Sequence, residues 1–255
     1  MYDIGILGGM GPKATAMLFE KIVDSTVAKN DQEHLKVVVL NKTQIPDRSA
    51  YLLQKSVDSP LTVLKEGIEE LNRLEAKYIL MPCNTAHYFY PELKECSNGI
   101  VINMVDNALC YIAKSGLPSK VCVLGTLGTV QTKIYDRYNA YDLSLCYPSE
   151  QICGEIHRII YEVKQGNTPL QMLAQKLSDL ICTIRQKEEN VTFLLGCTEL
   201  SCLQPFLTES DNTVDPMTLS ALTAIISCNA KPTCAASYDL GVLAKVARES
   251  VYARQ

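Results

Sequence analysis

The chain has no apolar run near the roughly 18 residues that cross a bilayer, so no membrane-spanning helix is expected. It has no long basic stretch either. Its 24 Lys and Arg stand against 28 Asp and Glu, a formal charge of −4, which argues against nucleic acid and against an anionic membrane as partners. A charged-then-apolar secretion signal is missing: Ile4, Gly5, Ile6 and Leu7 already read as a strand, and a cytoplasmic location is expected. No C-x-x-C pair occurs, although there are eleven cysteines; Cys197 and Cys202, five positions apart, are the nearest two. His34, His87 and His157 show no zinc-ligand spacing with one another or with the cysteines, so no metal is expected. An odd cysteine count in a chain too large to need staples also argues against a disulfide scaffold. Most of these thiols therefore read as small buried hydrophobes. A working cysteine has to be singled out by its surroundings.

What is present is alternation. Strand-like apolar runs (Asp3–Leu7, Lys36–Leu40, Tyr78–Met81, Ile100–Met104, Lys120–Leu124 and Thr192–Leu195) are separated by helical patterns. Leu61, Leu64, Ile68, Leu71 and Leu74 form one such pattern, and Ile152, Ile156, Ile159 and Val163 another. Pro12, Pro60 and Pro169 fit the first turns of helices. Chains of this length and 47% apolar content support one large or two small cores. An internal repeat favours two. Ile4-Gly-Ile-Leu-Gly-Gly-Met-Gly-Pro12 has the layout of Cys122-Val-Leu-Gly-Thr-Leu-Gly-Thr129, a strand followed by a glycine-rich turn. Later, Ile79-Leu-Met-Pro-Cys-Asn-Thr85 matches Phe193-Leu-Leu-Gly-Cys-Thr-Glu199. Gly8 precedes Cys83 by 75 positions, and Gly125 precedes Cys197 by 72. The expected organisation is a first α/β half over residues 1–105 plus about 213–228, carrying Cys83, and a second over 106–212, carrying Cys197. The tail, 229–255, has no interpretable feature.

In open α/β sheets ligands sit beyond the carboxyl ends of the strands, where both cysteines fall. Inverting an acidic carbon requires a base on one face and an acid on the other, and a duplicated fold with one thiol per half supplies that arrangement. A thiol titrates near pH 8.5, close enough to neutrality for proton transfer. Each cysteine is trailed by small polar residues where a helix can begin, and backbone N–H groups there would stabilise a thiolate and a substrate carboxylate. Removing a proton beside a carboxylate creates an enolate-like dianion that needs nearby cations. Arg48, in the loop Pro46-Asp-Arg-Ser49, is placed to clamp a carboxylate.

Four motifs, Gly8-Gly-Met-Gly-Pro12, Pro82-Cys-Asn-Thr-Ala-His87, Leu124-Gly-Thr-Leu-Gly-Thr129 and Gly196-Cys-Thr-Glu-Leu200, make the chain resemble the pyridoxal-phosphate-independent aspartate/glutamate racemases from residue 5 to about 228. The resemblance implies two pseudo-symmetric Rossmann-like (flavodoxin-like) domains with parallel sheets and the active site in the cleft between them. It also implies cofactor-free racemisation of aspartate, in which Cys83 and Cys197 exchange the roles of base and acid, and a homodimer. Asn84, Thr85 and Thr198 are then expected to hold the substrate α-carboxylate and ammonium, with Thr126 nearby and Gly9 and Met10 lining the pocket floor. Arg48 and Lys164 match the basic positions that hold a side-chain carboxylate in aspartate-specific members. Glutamate racemases usually carry histidine after the second Cys-Thr, where this chain has Glu199.

Other readings compete. Gly9-Met-Gly-Pro-Lys-Ala14 fits a relaxed dinucleotide fingerprint, but the second strand ends Leu40-Asn-Lys-Thr43, without the acidic residue that would hold a ribose. His87 reads as a proton relay or a helix-start residue, and Glu199 as a partner that orients Cys197 or as a helix cap. Arg48 could be a surface charge and Lys164 a solvated helix-end lysine. Cys202 reads as packed within a helix. A glutamate or broad-specificity racemase, a hydantoin racemase or a maleate isomerase would share the scaffold, whereas arylmalonate decarboxylases keep only one of the two cysteines. An amino-acid-binding protein would not need both thiols. A Cys83–Cys197 disulfide would inactivate such an enzyme and is a vulnerability more than a function.

Overall fold

The computed structural model describes residues 1–208, 212–233 and 238–252. The first half runs β1 (Tyr2–Gly8), α1 (Pro12–Asp24), β2 (Val37–Asn41), α2 (Arg48–Leu52), α3 (Leu61–Arg73), β3 (Ala76–Leu80), a 3-10 turn over Thr85–Phe89, α4 (Tyr90–Glu95), β4 (Ile100–Val101) and α5 (Met104–Lys114). The second half runs β5 (Lys120–Gly125), α6 (Leu127–Gln131), α7 (Ile134–Arg137), β6 (Ser144–Cys146), α8 (Glu150–Gln165), α9 (Leu170–Arg185), β7 (Val191–Gly196), α10 (Thr198–Ser201), β8 (Thr213–Val214) and α11 (Pro216–Ser227). A further helix, α12 (Leu240–Tyr252), follows. The strands form two parallel four-stranded sheets, ordered β2-β1-β3-β4 and β6-β5-β7-β8. This is the doubly wound, flavodoxin-like α/β architecture in duplicate that the sequence predicts.

Strands covered on both faces have no solvent side, so they are written as continuous apolar runs. All six residues of β7 are buried, and so are Ile4 to Gly8 of β1. The helices instead bury one stripe. In α3 the inward residues are Leu64, Ile68 and Leu71, while Glu66 and Glu69 face solvent. Pro12 opens α1, where its missing N–H has no helical partner to lose. Pro60 and Pro169 sit one position earlier, as the residues that cap α3 and α9.

The strand expected over Ile100–Met104 stops at Val101, because Asn103 Oδ1 accepts from the N–H groups of Val105 and Asp106, both at 3.1 Å, and turns the chain into α5. The second half repeats the device: after β8, Asp215 Oδ1 accepts from Met217 N–H at 3.0 Å and starts α11. With three and two residues, β6 and β8 are too short to leave a periodic signal. The segment 213–228 is divided. β8 pairs with β7 of the second sheet, while α11 packs on α1 and α5, and the Ser227 carbonyl accepts from the Tyr78 hydroxyl at 2.8 Å. From the tail, α12 packs on α11 and α5.

Three apolar clusters result. One lies between the sheets, joining Ile4, Ile6 and Leu80 to Val121, Val123 and Leu194 through α5 and α11. The others lie on the outer faces, under α3 in the first half and under α8 and α9 in the second. The central cluster leaves the carboxyl ends of β1, β3, β5 and β7 facing one another across a cleft.

Candidate active site

Both glycine-rich turns shape this cleft. Gly9 has φ +93°, and a Cβ there would lie 2.3 Å from the Lys42 backbone, so the turn requires glycine. Across the cleft, a Cβ on Gly128 would lie 2.5 Å from Ser49 Oγ, so α6 and α2 meet at a contact only glycine permits. The cavity enclosed is lined by Met10, Arg48, Asn84, Thr85, Thr126, Lys164, Thr198 and Glu199 around the two thiols of Cys83 and Cys197, with Asp47 and Ser49 at its border. Ten residues singled out in the sequence therefore converge on one place, whereas Gly9, expected on the pocket floor beside Met10, is not part of the lining. The free space at its centre, about 20 Å³, holds about one water molecule.

Cys83 follows β3 by three residues and is 7% exposed. His87 holds its turn in place. The Nε2 atom accepts from Met104 N–H at 3.2 Å, which leaves the proton on Nδ1, and Nδ1–H donates to the Cys83 carbonyl at 2.9 Å. Burial pushes the His87 pKa down to about 4, so the ring is neutral at working pH. Both nitrogens are engaged with backbone. His87 is thus a brace between the Cys83 turn and α5, not a proton relay.

Arg48 opens α2, whose first turn is capped by Asp47 Oδ1 accepting from Ala50 N–H at 2.7 Å. The guanidinium is buried, with Nη1 donating to the carbonyls of Ile45 (3.3 Å) and Pro46 (2.9 Å) and Nη2 to that of Met10 (2.8 Å). Nε has no protein partner. Burial opposes its charge, but electrostatic interaction with nearby Cys83 and with the carboxylates of Asp47 and Glu199 outweighs it, so the pKa lies above the usual arginine value. Arg48 is no surface charge.

Cys197 is differently held. It caps α10 directly after β7, and its Sγ–H donates to Glu199 Oε2 at 2.9 Å. Burial first, and then the Glu199 charge, push this thiol well above the usual cysteine range, with Lys164 partly opposing them. Lys164 lies in the last turn of α8, its stem exposed and its ammonium 5.0 Å over the Tyr161 ring. Partial burial works against its charge, but Glu199, Cys197 and Cys83 keep its pKa raised. Cys202 is buried behind α10 and does not reach the cavity.

Polar side chains from both halves complete the lining. The hydroxyls of Thr85 and Thr126 each lie 3.1 Å from that of Thr129, and Ser49 Oγ lies 3.3 Å from Thr126 Oγ1. Thr198 donates to the Pro82 carbonyl at 3.2 Å. The Asn84 carbonyl oxygen accepts from Tyr135, leaving a buried amide NH₂ with no partner among the described residues, on a side chain that lines the cavity.

The sequence model of the Asp/Glu/hydantoin racemase family matches residues 7–224. The chain belongs to that family. By class the enzyme is an amino-acid racemase. It is similar to the broad specificity amino-acid racemase RacX of Bacillus subtilis, 29% identical over 170 residues that cover 64% of this chain and 72% of RacX. Among solved structures, the aspartate racemase of Picrophilus torridus superposes with a TM-score of 0.77 at 29% identity, covering 90% of this chain and 95% of that one. An aspartate racemase homologue from Pyrococcus horikoshii shares the fold, with a TM-score of 0.72, 22% identity, and 90% and 100% coverage.

The cavity and its immediate surroundings also include residues that sequence reading passed over. Asp47 and Ser49 flank Arg48, and their place beside it was the available signal. Thr129 lies three positions after Thr126, the spacing that brings two side chains together on a helical turn. Tyr135 had no local signal at all.

Proposed function

We propose that this racemase interconverts L- and D-aspartate without a cofactor, Cys83 and Cys197 acting as a thiolate and thiol on opposite faces of the α-carbon. One thiolate takes the α-proton, leaving an enolate-like carbanion; the opposite thiol then gives its proton to the other face. The pair ends with its protonation exchanged, ready for the reverse direction. The observation that carries this reading is that the matching cysteine of each half borders one cavity flanked by two cations, Arg48 and Lys164. Arg48 is pinned by three carbonyls and keeps Nε–H for a ligand, which suits a side-chain carboxylate. The Asn84 amide and the hydroxyls of Thr85, Thr126 and Thr198 are assigned to the α-carboxylate and ammonium, over a floor that includes Met10.

The test is incubation of reduced protein with L-aspartate in deuterated water, following the α-proton by NMR and the optical rotation together. Joint loss of both signals is the expected result. Proton loss with rotation retained would mean one-faced exchange, and no change in either would remove aspartate as the substrate. Similarity to RacX favours a second reading, broader specificity. Turnover of L-glutamate and neutral amino acids at rates near that of aspartate would select it. The same proposal takes the enzyme as a homodimer, which analytical sedimentation reads directly.

A further inference from the structure

Helix α7 has no part in the chemistry above, yet two of its side chains and that of Tyr138, which ends it, grip the turn that carries Cys83. The Tyr135 hydroxyl donates to Asn84 Oδ1 at 2.5 Å, Arg137 Nη1 to the Tyr88 carbonyl at 3.3 Å, and the Tyr138 hydroxyl to the His87 carbonyl at 2.9 Å. The first of these is wholly buried and joins opposite halves of the molecule. The Tyr135 ring also lies against the other thiol's strand. A Cβ on Gly196, the residue before Cys197, would sit 3.3 Å from Tyr135 Cε2. One tyrosine therefore touches the residue after the first cysteine and the residue before the second.

We propose that Tyr135 is a positioning residue that sets the two thiol-bearing turns relative to one another and fixes which end of the Asn84 amide faces substrate. This rests on the reading of the cavity as the racemase site. An asparagine amide is nearly symmetric in shape, and either end could face the cavity. Burial keeps the Tyr135 phenol protonated at any working pH, and its buried hydroxyl proton is accepted by Asn84 Oδ1, so turning the amide would face that proton with an NH₂ donor and leave it unpaired. The NH₂ end, buried and without a protein partner, is then presented to the cavity as a donor for substrate oxygen. Without the hydroxyl, the amide is free to turn its carbonyl toward a carboxylate and repel it. Phenylalanine would keep the ring contact with Gly196 and lose only this selection.

Three proteins test the idea, Tyr135→Phe, Asn84→Ala and the double variant, each checked for folding by circular dichroism. Tyr135→Phe is expected to lower kcat/KM for aspartate by about tenfold, the worth of one buried hydrogen bond. In the Asn84→Ala background the same change is expected to cost little more. Losses that multiply instead would mean that Tyr135 acts through general packing, and would overturn the proposal. A readout independent of substrate is the Tyr135 hydroxyl proton. It is expected as a slowly exchanging, strongly downfield resonance in the wild type, absent in Tyr135→Phe and displaced in Asn84→Ala. That signal decides the matter even where Tyr135→Phe fails to fold. The two ideas fail separately: wild-type protein that leaves aspartate untouched removes the substrate assignment, while a hydroxyl resonance indifferent to Asn84→Ala removes the positioning role.

Discussion

The two halves share strand order, glycine turn and cysteine position, yet they hold their thiols by different chemistry. Cys83 lies three residues past its strand, in the loop just before a 3-10 turn, and faces the guanidinium of Arg48, itself fastened to backbone carbonyls. Cys197 follows its strand directly, caps a helix, and shares its proton with Glu199 opposite the flexible Lys164. The braces differ as well. Four residues after Cys83, His87 ties the turn to the start of α5. Four residues after Cys197, Ser201 donates to the Asp215 carboxylate at the start of α11, at 2.6 Å. Duplication therefore supplies equivalent places, and the side chains that have diverged supply inequivalent surroundings.

The comparison can be attacked from either side. Cys83→Ala and Cys197→Ala are each expected to lower racemisation by about 10³-fold or more, the share of a positioned acid or base. Near-normal turnover in either variant would falsify the two-thiol scheme and leave one half as scaffold only. Replacing the rigid cation comes next. Arg48→Ala should lower kcat/KM for aspartate by about 10²-fold, through lost charge-assisted hydrogen bonds. An amino acid lacking the side-chain carboxylate should lose much less, and the ratio cancels any shared effect of freeing the Met10 carbonyl. Equal losses would take Arg48 out of the clamp.

The braces are told apart by pH. Unfolded His87 binds a proton near pH 6.5, and folded His87 only near 4. The unfolded state therefore takes up protons first as pH falls through 6.5, and stability drops, by about 2 kcal/mol between pH 7 and pH 5. Above pH 6.5 the group contributes no pH dependence. Urea midpoints at the two pH values should show this loss in the wild type and a smaller one in His87→Gln; the same slope in both would assign the sensitivity elsewhere. The gentlest probe is Glu199→Gln. Burial still raises the Cys197 pKa, but without the neighbouring charge it should fall, moving the limb of the pH–rate profile governed by Cys197 to lower pH. A profile that does not move would mean that Glu199 only orients the thiol.

Much of the site was legible because it is written locally. A strand followed by Gly8-Gly9, or by Cys83-Asn84-Thr85, is a contiguous signal, and its recurrence near Gly125 and Cys197 marked the duplication without coordinates. Continuous apolar runs marked β1, β5 and β7 for the same reason: each is buried on both faces, so burial appears directly in the sequence. The three-residue β6 and the two-residue β8 carry no such pattern, and their place depends on pairing partners far along the chain. His87 and Glu199 were ambiguous because each has a local and a distant use. The Met104 N–H that fills Nε2 of His87 comes from another element, whereas Glu199 meets its partner only two residues away through a conformation set by the cleft.

From the chain alone came the α/β class, the repeat, and a pair of cysteines matched in position, each the product of short-range pattern and composition. Tertiary structure decided how those parts are used: that Arg48 is buried on three carbonyls, that Cys197 keeps its proton, and that Tyr135 reaches from one half to the residue beside the other half's thiol. Such properties depend on solvent exclusion and on contacts between residues dozens of positions apart, and neither exists until the two sheets have closed over their shared core.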